Sequence, residues 1–138
     1  MNYLLDTCVL SEFKKKQPEP KVIDWLDTHL EESLFLSTVT IGEIQKGITL
    51  LPASNRQAEL AVWLEDLLYR YEQRVLPLDT AVMRQWGQMT GTLEKQGRLL
   101  PLLDSLIAAT ALAHNLALVT RNETDFAGTS VSILNPWK

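Results

Sequence analysis

Hydrophobic positions along the chain fall into short apolar runs that alternate with longer stretches of helical periodicity. We predict a strand in each short run, because the runs are too brief for helices and are bounded by polar or turn-forming residues. The predicted strands are 1–5, 34–37, 74–78, 116–120 and 131–134. Between them, apolar side chains recur every three or four residues, which is typical of helices with one buried face. The predicted helices are 10–16, 21–30, 40–51, 54–74, 80–96 and 102–114.

Alternation of short strands with helices predicts an α/β fold. We expect a three-layer sandwich with a mostly parallel sheet of four or five strands and flanking helices. The 138 residues contain no repeat, no low-complexity segment and no evident linker, so a single domain over 1–138 is expected. In such sheets the functional groups collect beyond the carboxyl ends of the strands, where the strand order reverses. The residues that end the strands are therefore candidates for a site.

Composition restricts the class of protein more than it identifies an activity. A net charge of −4 argues against binding nucleic acid through a basic face alone, but it is compatible with a nuclease that carries acidic metal ligands. The single cysteine, Cys8, excludes an internal disulfide framework and a zinc site of several thiolates. The first residues include no basic leader, and no apolar stretch reaches about 20 residues. We therefore expect no signal peptide, no membrane span and a cytoplasmic location.

Two acidic residues in the first third of the chain are candidates for function, and both also have a structural explanation. Asp6 directly follows the first predicted strand, where it could instead cap the next helix. Glu43 lies in the sequence Thr40-x-x-Glu43, which is a capping box at a helix start. That helix start follows the second strand, so it opens on the same edge of the sheet as Asp6.

The second half of the chain contains two further candidates. Asp104 opens an otherwise apolar helix, where the helix dipole favours an acid. Asp125 follows the strand at 116–120, and it or Asn122 could simply cap a turn. Together the four acids are expected at one edge of the sheet, where their charges repel unless a divalent cation neutralises them. Oxygen-only ligands select magnesium or manganese, and such an ion can activate water and stabilise charge on a phosphoryl group.

The motifs that carry these acids resemble those of VapC- and FitB-like PIN-domain toxins. The opening MNYLLDTCVLSE resembles that family's first strand followed by Asp-Thr/Ser-x-x-Leu/Ile-Ser-Glu. LSTVTIGEIQKGI resembles the second acidic motif, with its glutamate at Glu43, and LPLLDSLIAATALAHNLALVTRNETDF resembles the third and fourth. The resemblance implies that Asp104 is the third acid and that Asn122 and Asp125 share the fourth position. It covers essentially the whole chain, and its specificity comes from the ordered set of motifs.

The resemblance implies a PIN domain with a pair of projecting helices and the activity of a Mg²⁺- or Mn²⁺-dependent endoribonuclease acting on transfer RNA or other structured RNA. It implies the toxin of a type II toxin–antitoxin system, a homodimer held inactive by a cognate DNA-binding antitoxin. The site residues that it implies are the catalytic metal ligands Asp6, Glu43, Asp104 and Asp125, the supporting residues Thr7 and Asn122, and the phosphate contacts Arg121 and Lys46.

The chain departs from the family pattern at two positions. Cys8 stands where the family often has Asn, which puts a polar role for that side chain in doubt. Asn122 replaces an acid as the first residue of the fourth motif, so Asp125 would have to serve alone, through water if necessary.

Several other conspicuous residues are interpreted as structural. Lys14, Lys15 and Lys16 are read as a solvated run, and His29 and His114 have no evident partner. Large aromatic side chains at helical spacing indicate core or dimer contacts: Trp63, Tyr69, Tyr71 and Trp86. Because the helices 54–74 and 80–96 carry more of these than a small core absorbs, we expect their apolar faces to contribute to a homodimer.

Other functions remain to be weighed against a nuclease. A magnesium-binding signalling receiver needs two adjacent acids after its first strand and a late lysine, but Asp6 stands alone and Arg121-Asn122 occupies the late turn. A phosphatase with an aspartyl nucleophile needs Asp-x-Asp, which Asp6-Thr7-Cys8 does not provide. A catalytically inactive PIN-like binding module stays open, although all four acidic positions are filled.

Overall fold

The structure, a computed structural model, describes all of residues 1–138. It contains five strands: β1 (Tyr3–Leu5), β2 (Leu34–Ser37), β3 (Val75–Leu76), β4 (Ala117–Val119) and β5 (Ile133–Leu134). They form one sheet in the order β3-β2-β1-β4-β5, and every neighbouring pair is parallel. β2 and β3 follow β1 on one side of it, and β4 and β5 are added on its other side. The strand order therefore reverses at β1, and the carboxyl end of β1 lies at the switch point of the sheet.

Six helices cover the two faces of this sheet. They are α1 (Thr7–Glu12), α2 (Pro20–Asp27), α3 (Thr38–Leu50), α4 (Asn55–Arg70), α5 (Thr80–Lys95) and α6 (Leu102–Ala113), with short 3₁₀ turns at Glu31–Ser33 and Glu123–Phe126. The α/β prediction is confirmed: each predicted strand and helix is present, β2 with the predicted bounds and the others with one or both ends shifted. None of the helices is long and apolar enough to cross a membrane.

Two helices begin two or three residues earlier than predicted, and in both cases a side chain at the end of a strand accounts for it. The helix predicted at 10–16 begins at Thr7, because Asp6 accepts a hydrogen bond from the Thr7 amide. The helix predicted at 40–51 begins at Thr38, because the Ser37 hydroxyl accepts a hydrogen bond from the amide of Val39. Strand end and helix start are thus adjacent, which leaves no connecting loop at this edge of the sheet.

Two hydrophobic cores lie on opposite faces of the sheet, in agreement with a three-layer sandwich. Alternate strand residues point to opposite sides. Leu4 and Leu118 join the core formed with α5 and α6, whereas Leu5 and Val119 join the core formed with α1 to α4. Small residues along α6, among them the fully buried Ala108 and Ala109, let that helix lie close to the sheet and to α5. The N-terminus of α6 is thereby held at the carboxyl edge of the strands.

The large side chains of the two long helices are divided between the two cores. Leu64, Leu67 and Tyr71 of the 54–74 segment are buried in the α1–α4 core. Val82, Met89 and Leu93 of the 80–96 segment are buried in the α5–α6 core. The buried part of each apolar face is therefore covered within the chain, whereas Val62, Tyr69 and Met83 on the same helices stay exposed. The contribution of these helices to a homodimer stays a prediction.

Candidate metal centre

Asp6 is the first residue beyond β1 and lies almost completely buried at the centre of the sheet edge. The register of β1 with β4 pairs Leu5 with Val119, which brings Asp6 next to Thr120. Its Oδ1 accepts a hydrogen bond from the Thr7 amide at 2.8 Å, and its Oδ2 accepts one from the Thr120 hydroxyl at 2.7 Å. Asp6 therefore caps α1 and also presents a fixed carboxylate at the edge. The two explanations given for it are compatible.

Glu43 is directed toward the first motif and away from its own helix start. The Thr7 hydroxyl donates to Glu43 Oε1 at 2.8 Å, and the Thr40 hydroxyl lies 3.3 Å from that of Thr7. The capping-box explanation of Glu43 is wrong, because Ser37 caps α3 and Thr40 lies buried inside the helix. Thr7 thus connects the start of α1 to α3 and holds the Glu43 carboxylate on the side of the first motif.

Asp104 and Asp125 complete the acidic cluster from the other side. Asp104 lies half-buried in the first turn of α6, and Asp125 lies exposed in the 3₁₀ turn after β4. Burial raises the pKa of Asp104 to about 6, with the negative charges of Asp6, Asp125 and Glu43 adding to the effect. The helix dipole works in the opposite direction and is outweighed. All three other acids therefore act on Asp104, which is the residue at the focus of the cluster.

The thiol of Cys8 lies beside these carboxylates but is not suited to bind a metal. Its Sγ is 3.7 Å from Asp6 Oδ2 and 3.6 Å from the Thr120 hydroxyl. Burial and the nearby charge of Asp6 raise the pKa of the thiol, so it stays protonated. The donors that remain are carboxylate and hydroxyl oxygens, which fit a hard divalent cation such as magnesium or manganese.

The spacing of the four carboxylates sets a limit on how such an ion would bind. As the side chains stand, no three Asp, Glu, His or Cys residues are arranged to hold one metal ion. The donor chemistry fits the cation, but direct ligation requires side-chain movement, and water otherwise completes the coordination. Asp104 and Asp125 can move most easily, because neither side chain accepts a hydrogen bond from the protein.

Thr120 is a site residue that the sequence analysis missed. It is fully buried, donates to Asp6 and accepts a hydrogen bond from the backbone amide of Asn122 at 3.1 Å. Asn122 therefore contributes its amide to the site, while its side chain is exposed and forms no hydrogen bond within the chain. Thr120 ends β4 just as Asp6 ends β1, so the rule that singled out Asp6 applies to Thr120 as well.

The two predicted phosphate contacts lie at the rim of the cluster. The Arg121 guanidinium lies over the Trp137 ring, 4.5 Å from its centroid. It forms no ion pair with Glu123, which pairs instead with Lys138 at 2.7 Å. Lys46 is exposed on α3, one turn beyond Glu43, and forms no ion pair.

The residues interpreted as structural lie outside this cluster. The picture of a solvated lysine run is wrong for Lys14, which lies 5.2 Å from the Trp63 ring centroid, and for Lys15, which pairs with the buried Glu12. His29 stacks on Trp25 at 4.0 Å between ring centroids. His114 lies exposed at the end of α6. Of the aromatic residues expected in the core or at a dimer contact, Tyr71 is buried and Trp63 and Trp86 are partly buried. Tyr69 is 83% exposed and so lies outside the core.

Comparison with known proteins extends over nearly the whole chain. Residues 3–130 match the family described as the PIN domain. Toxin FitB of Neisseria gonorrhoeae is 35% identical over 135 residues, 97% of each protein. A VapC ribonuclease of Sinorhizobium fredii is 34% identical over 136 residues, 98% of this chain and 97% of that protein. A solved structure of FitAB bound to a DNA fragment has a TM-score of 0.93 and 33% identity, covering 99% of this chain and 96% of that one.

Proposed function

Because the chain belongs to the PIN-domain family, we propose that it is the toxin of a toxin–antitoxin pair and hydrolyses RNA as a divalent-metal-dependent endoribonuclease. The observation that carries the proposal is the gathering of four carboxylates at one edge of the sheet, where Thr120 holds Asp6 and Thr7 holds Glu43. Burial, together with the charges of the other three acids, raises the pKa of Asp104. The chain's relatives support the same conclusion, since one is named a toxin and another a ribonuclease. The catalytic unit is a single domain that extends over residues 1–138.

Asp6, Glu43, Asp104 and Asp125 are the proposed ligands of Mg²⁺ or Mn²⁺, directly or through water. When bound, such a cation stabilises the charge that develops on a phosphoryl group and lowers the pKa of water. The mechanism is attack of water on the phosphodiester, with no covalent enzyme intermediate. Carboxylates in this number need a counter-charge, and the chain itself supplies none within ion-pair distance of them.

The surrounding hydroxyl groups orient the ligands. Thr7 holds the Glu43 carboxylate and Thr120 holds that of Asp6, so both keep their direction before any ion arrives. The backbone amide of Asn122 fixes the Thr120 hydroxyl in turn. Arg121 and Lys46 are the proposed contacts to RNA phosphates, because Arg121 stands directly beside the fourth motif and Lys46 lies one turn beyond Glu43 of the second.

The proposed partners are structured RNA as substrate, transfer RNA being one candidate, and a cognate antitoxin that binds DNA. The antitoxin is supported by the similarity to FitAB bound to a DNA fragment. We also propose a homodimer located in the cytoplasm. The apolar surface available for the dimer includes exposed side chains of α4 and α5 and of the segment that leads into α6: Val62, Tyr69, Met83, Leu99, Leu102 and Leu103. A monomer in light scattering at micromolar concentration would contradict the dimer.

The test pairs single-turnover cleavage of a structured RNA with the melting shift caused by magnesium. Asp104→Asn is expected to lose both cleavage and the magnesium-induced shift, and Asp6→Asn to lose cleavage while remaining folded. The matched control is Asp66→Asn on α4, which removes the same charge from an exposed side chain that forms no ion pair. Normal cleavage by purified Asp104→Asn protein would contradict the proposed site. Failure of the wild type to cleave any RNA would favour an inactive binding module.

A further inference from the structure

The C-terminal residues 135–138 fold back over the turn that follows β4. Lys138 pairs with Glu123 at 2.7 Å, and the Asn135 side-chain amide donates to Glu123 at 2.9 Å. The backbone amide of Trp137 donates to the Asn135 side chain, also at 2.9 Å. These contacts fasten the tail to the turn that carries Asp125. The tail lies beyond residues 3–130, the part of the chain that matches the family.

Trp137 forms a platform between this turn and the core. Its ring packs against the core on the α1–α4 side of the sheet, and the exposed Arg121 guanidinium lies over it at 4.5 Å from the centroid. Such a contact is attractive because the cation meets the negative face of the ring. The indole N–H is buried and has no hydrogen-bond partner, so it contributes nothing specific to this contact. The ring face is therefore the part of Trp137 that matters for Arg121.

The Arg121 side chain lies over the Trp137 ring and forms no ion pair with a carboxylate of the acidic cluster, which is unexpected for a cation in this position. It directly follows Thr120, the residue that donates to Asp6, and its backbone amide contacts the thiol of Cys8. Four carboxylates without a counter-charge gather at the edge of the sheet where Thr120 ends β4, and charge-assisted pairing of the guanidinium with one of them would be favourable. Yet Arg121 forms no ion pair with any of them. Its charge acts instead on Glu12, a buried residue outside the cluster that already pairs with Lys15.

We propose that Trp137 is a positioning residue that holds Arg121 away from the acidic cluster, leaving the carboxylates free for a divalent cation and the guanidinium free for an RNA phosphate. This inference rests on the proposed function. Without the ring, Arg121 swings onto the carboxylates and competes with the cation. The effect therefore appears in metal binding by the protein alone, before any RNA is added.

The experiment measures the magnesium concentration at half-maximal melting shift. Trp137→Leu keeps an apolar side chain against the core but removes the ring face, and it is expected to raise this midpoint about two- to fivefold, the ratio that corresponds to an exposed cation–π contact. Trp137→Phe keeps a ring and loses only an unpaired N–H, so its midpoint stays at the wild-type value. Arg121→Ala also leaves the midpoint unchanged, because Arg121 is not a ligand.

The double variant Trp137→Leu/Arg121→Ala decides between positioning and a general structural effect. Its midpoint is expected to return to the value of Arg121→Ala, since no guanidinium is left to compete. A raised midpoint in the double variant, or no rise in Trp137→Leu, would overturn the inference. If Trp137→Leu does not fold, Asn135→Ala frees the tail without changing the charge, and it must raise the midpoint in the same Arg121-dependent way.

Cleavage measurements separate this inference from the proposed function. A wild type that binds magnesium with the predicted Trp137 dependence but cleaves no RNA would leave the positioning role standing and refute the ribonuclease. A wild type whose melting is insensitive to magnesium would overturn both. With RNA present, Trp137→Leu is also expected to raise KM, and Trp137→Phe is expected to restore it.

Discussion

The acidic cluster consists of two unlike pairs. Asp6 and Glu43 are held by hydrogen bonds from Thr120 and Thr7, which join the ends of β1 and β4 to each other and α1 to α3. Asp104 and Asp125 accept no hydrogen bond, and they belong to a helix start and a short turn that lie nearer to solvent. One pair is therefore fixed before any ligand arrives, while the other remains free to adjust.

The two pairs are therefore expected to have different roles in binding a cation. The fixed pair sets the position of a cation, and it is part of the hydrogen bonding that stabilises the fold. Burial raises the pKa of Asp104 in the free pair, and the negative charges of the other three acids add to the effect, because no hydrogen bond stabilises its carboxylate. The absence of a ready three-residue site agrees with a centre that is completed when the free pair moves.

The largest expected effect is on stability, and it separates the pairs directly. In the absence of metal, Asp6→Ala is expected to lower the free energy of unfolding by about 1–3 kcal/mol, because α1 loses its cap and the buried Thr120 hydroxyl loses its acceptor. Asp104→Asn removes repulsion without breaking a hydrogen bond, so it is expected to raise the stability. Urea unfolding monitored by circular dichroism measures both. Equal losses in the two variants would refute the division between the pairs.

The second expected effect is a pH dependence that belongs to Asp104, one member of the free pair. Because the folded chain holds the Asp104 pKa at about 6 against an ordinary 3.8, it binds that proton more tightly than the unfolded chain. Its contribution to metal-free stability is therefore largest at low pH and is lost as the pH rises from about 4 to about 6. Magnesium must displace the proton, so the melting shift is expected to grow between pH 5 and pH 7. In Asp104→Asn this pH dependence should disappear, and its persistence would assign the titration to another group.

The smallest expected effect comes from loosening the fixed pair without removing a carboxylate. Thr7→Val deletes the hydrogen bond to Glu43, and it is expected to cost about 0.5–1.5 kcal/mol of stability. Metal affinity should fall about 10- to 100-fold, as is usual when a group that orients a ligand is lost. Thr92→Val, at an exposed position of α5, is the matched control. If Thr7→Val binds magnesium as tightly as the control, Glu43 does not depend on Thr7 for its orientation.

The order of elements and most of the cluster could be predicted from the sequence, because hydrophobic periodicity locates strands and the ends of parallel strands share an edge. The starts of α1 and α3 were missed, because Asp6 and Ser37 serve as strand end and helix cap at once. Glu43 was read as part of a capping box because a local motif does not reveal a partner 36 residues away.

The long-range contacts at the rim of the site could not be predicted. The stacking of Arg121 on Trp137 depends on β5 returning the chain to the edge of the sheet, which no spacing in the sequence indicates. The burial of Glu12 could not be predicted from the sequence either. Its carboxylate accepts a hydrogen bond from the backbone amide of Glu19, and this contact forms only where the chain turns back between the two residues.

The outer strands of the sheet have a consequence for how the protein behaves at high concentration. β3 and β5 are only two residues long, and prolines follow closely at Pro77 and Pro136. A proline has no amide hydrogen to donate, and so short an edge gives an incoming strand almost nothing to pair with. Edge-to-edge aggregation is therefore disfavoured at high protein concentration. Association with a partner is expected to use the helices and loops and not the edge strands β3 and β5.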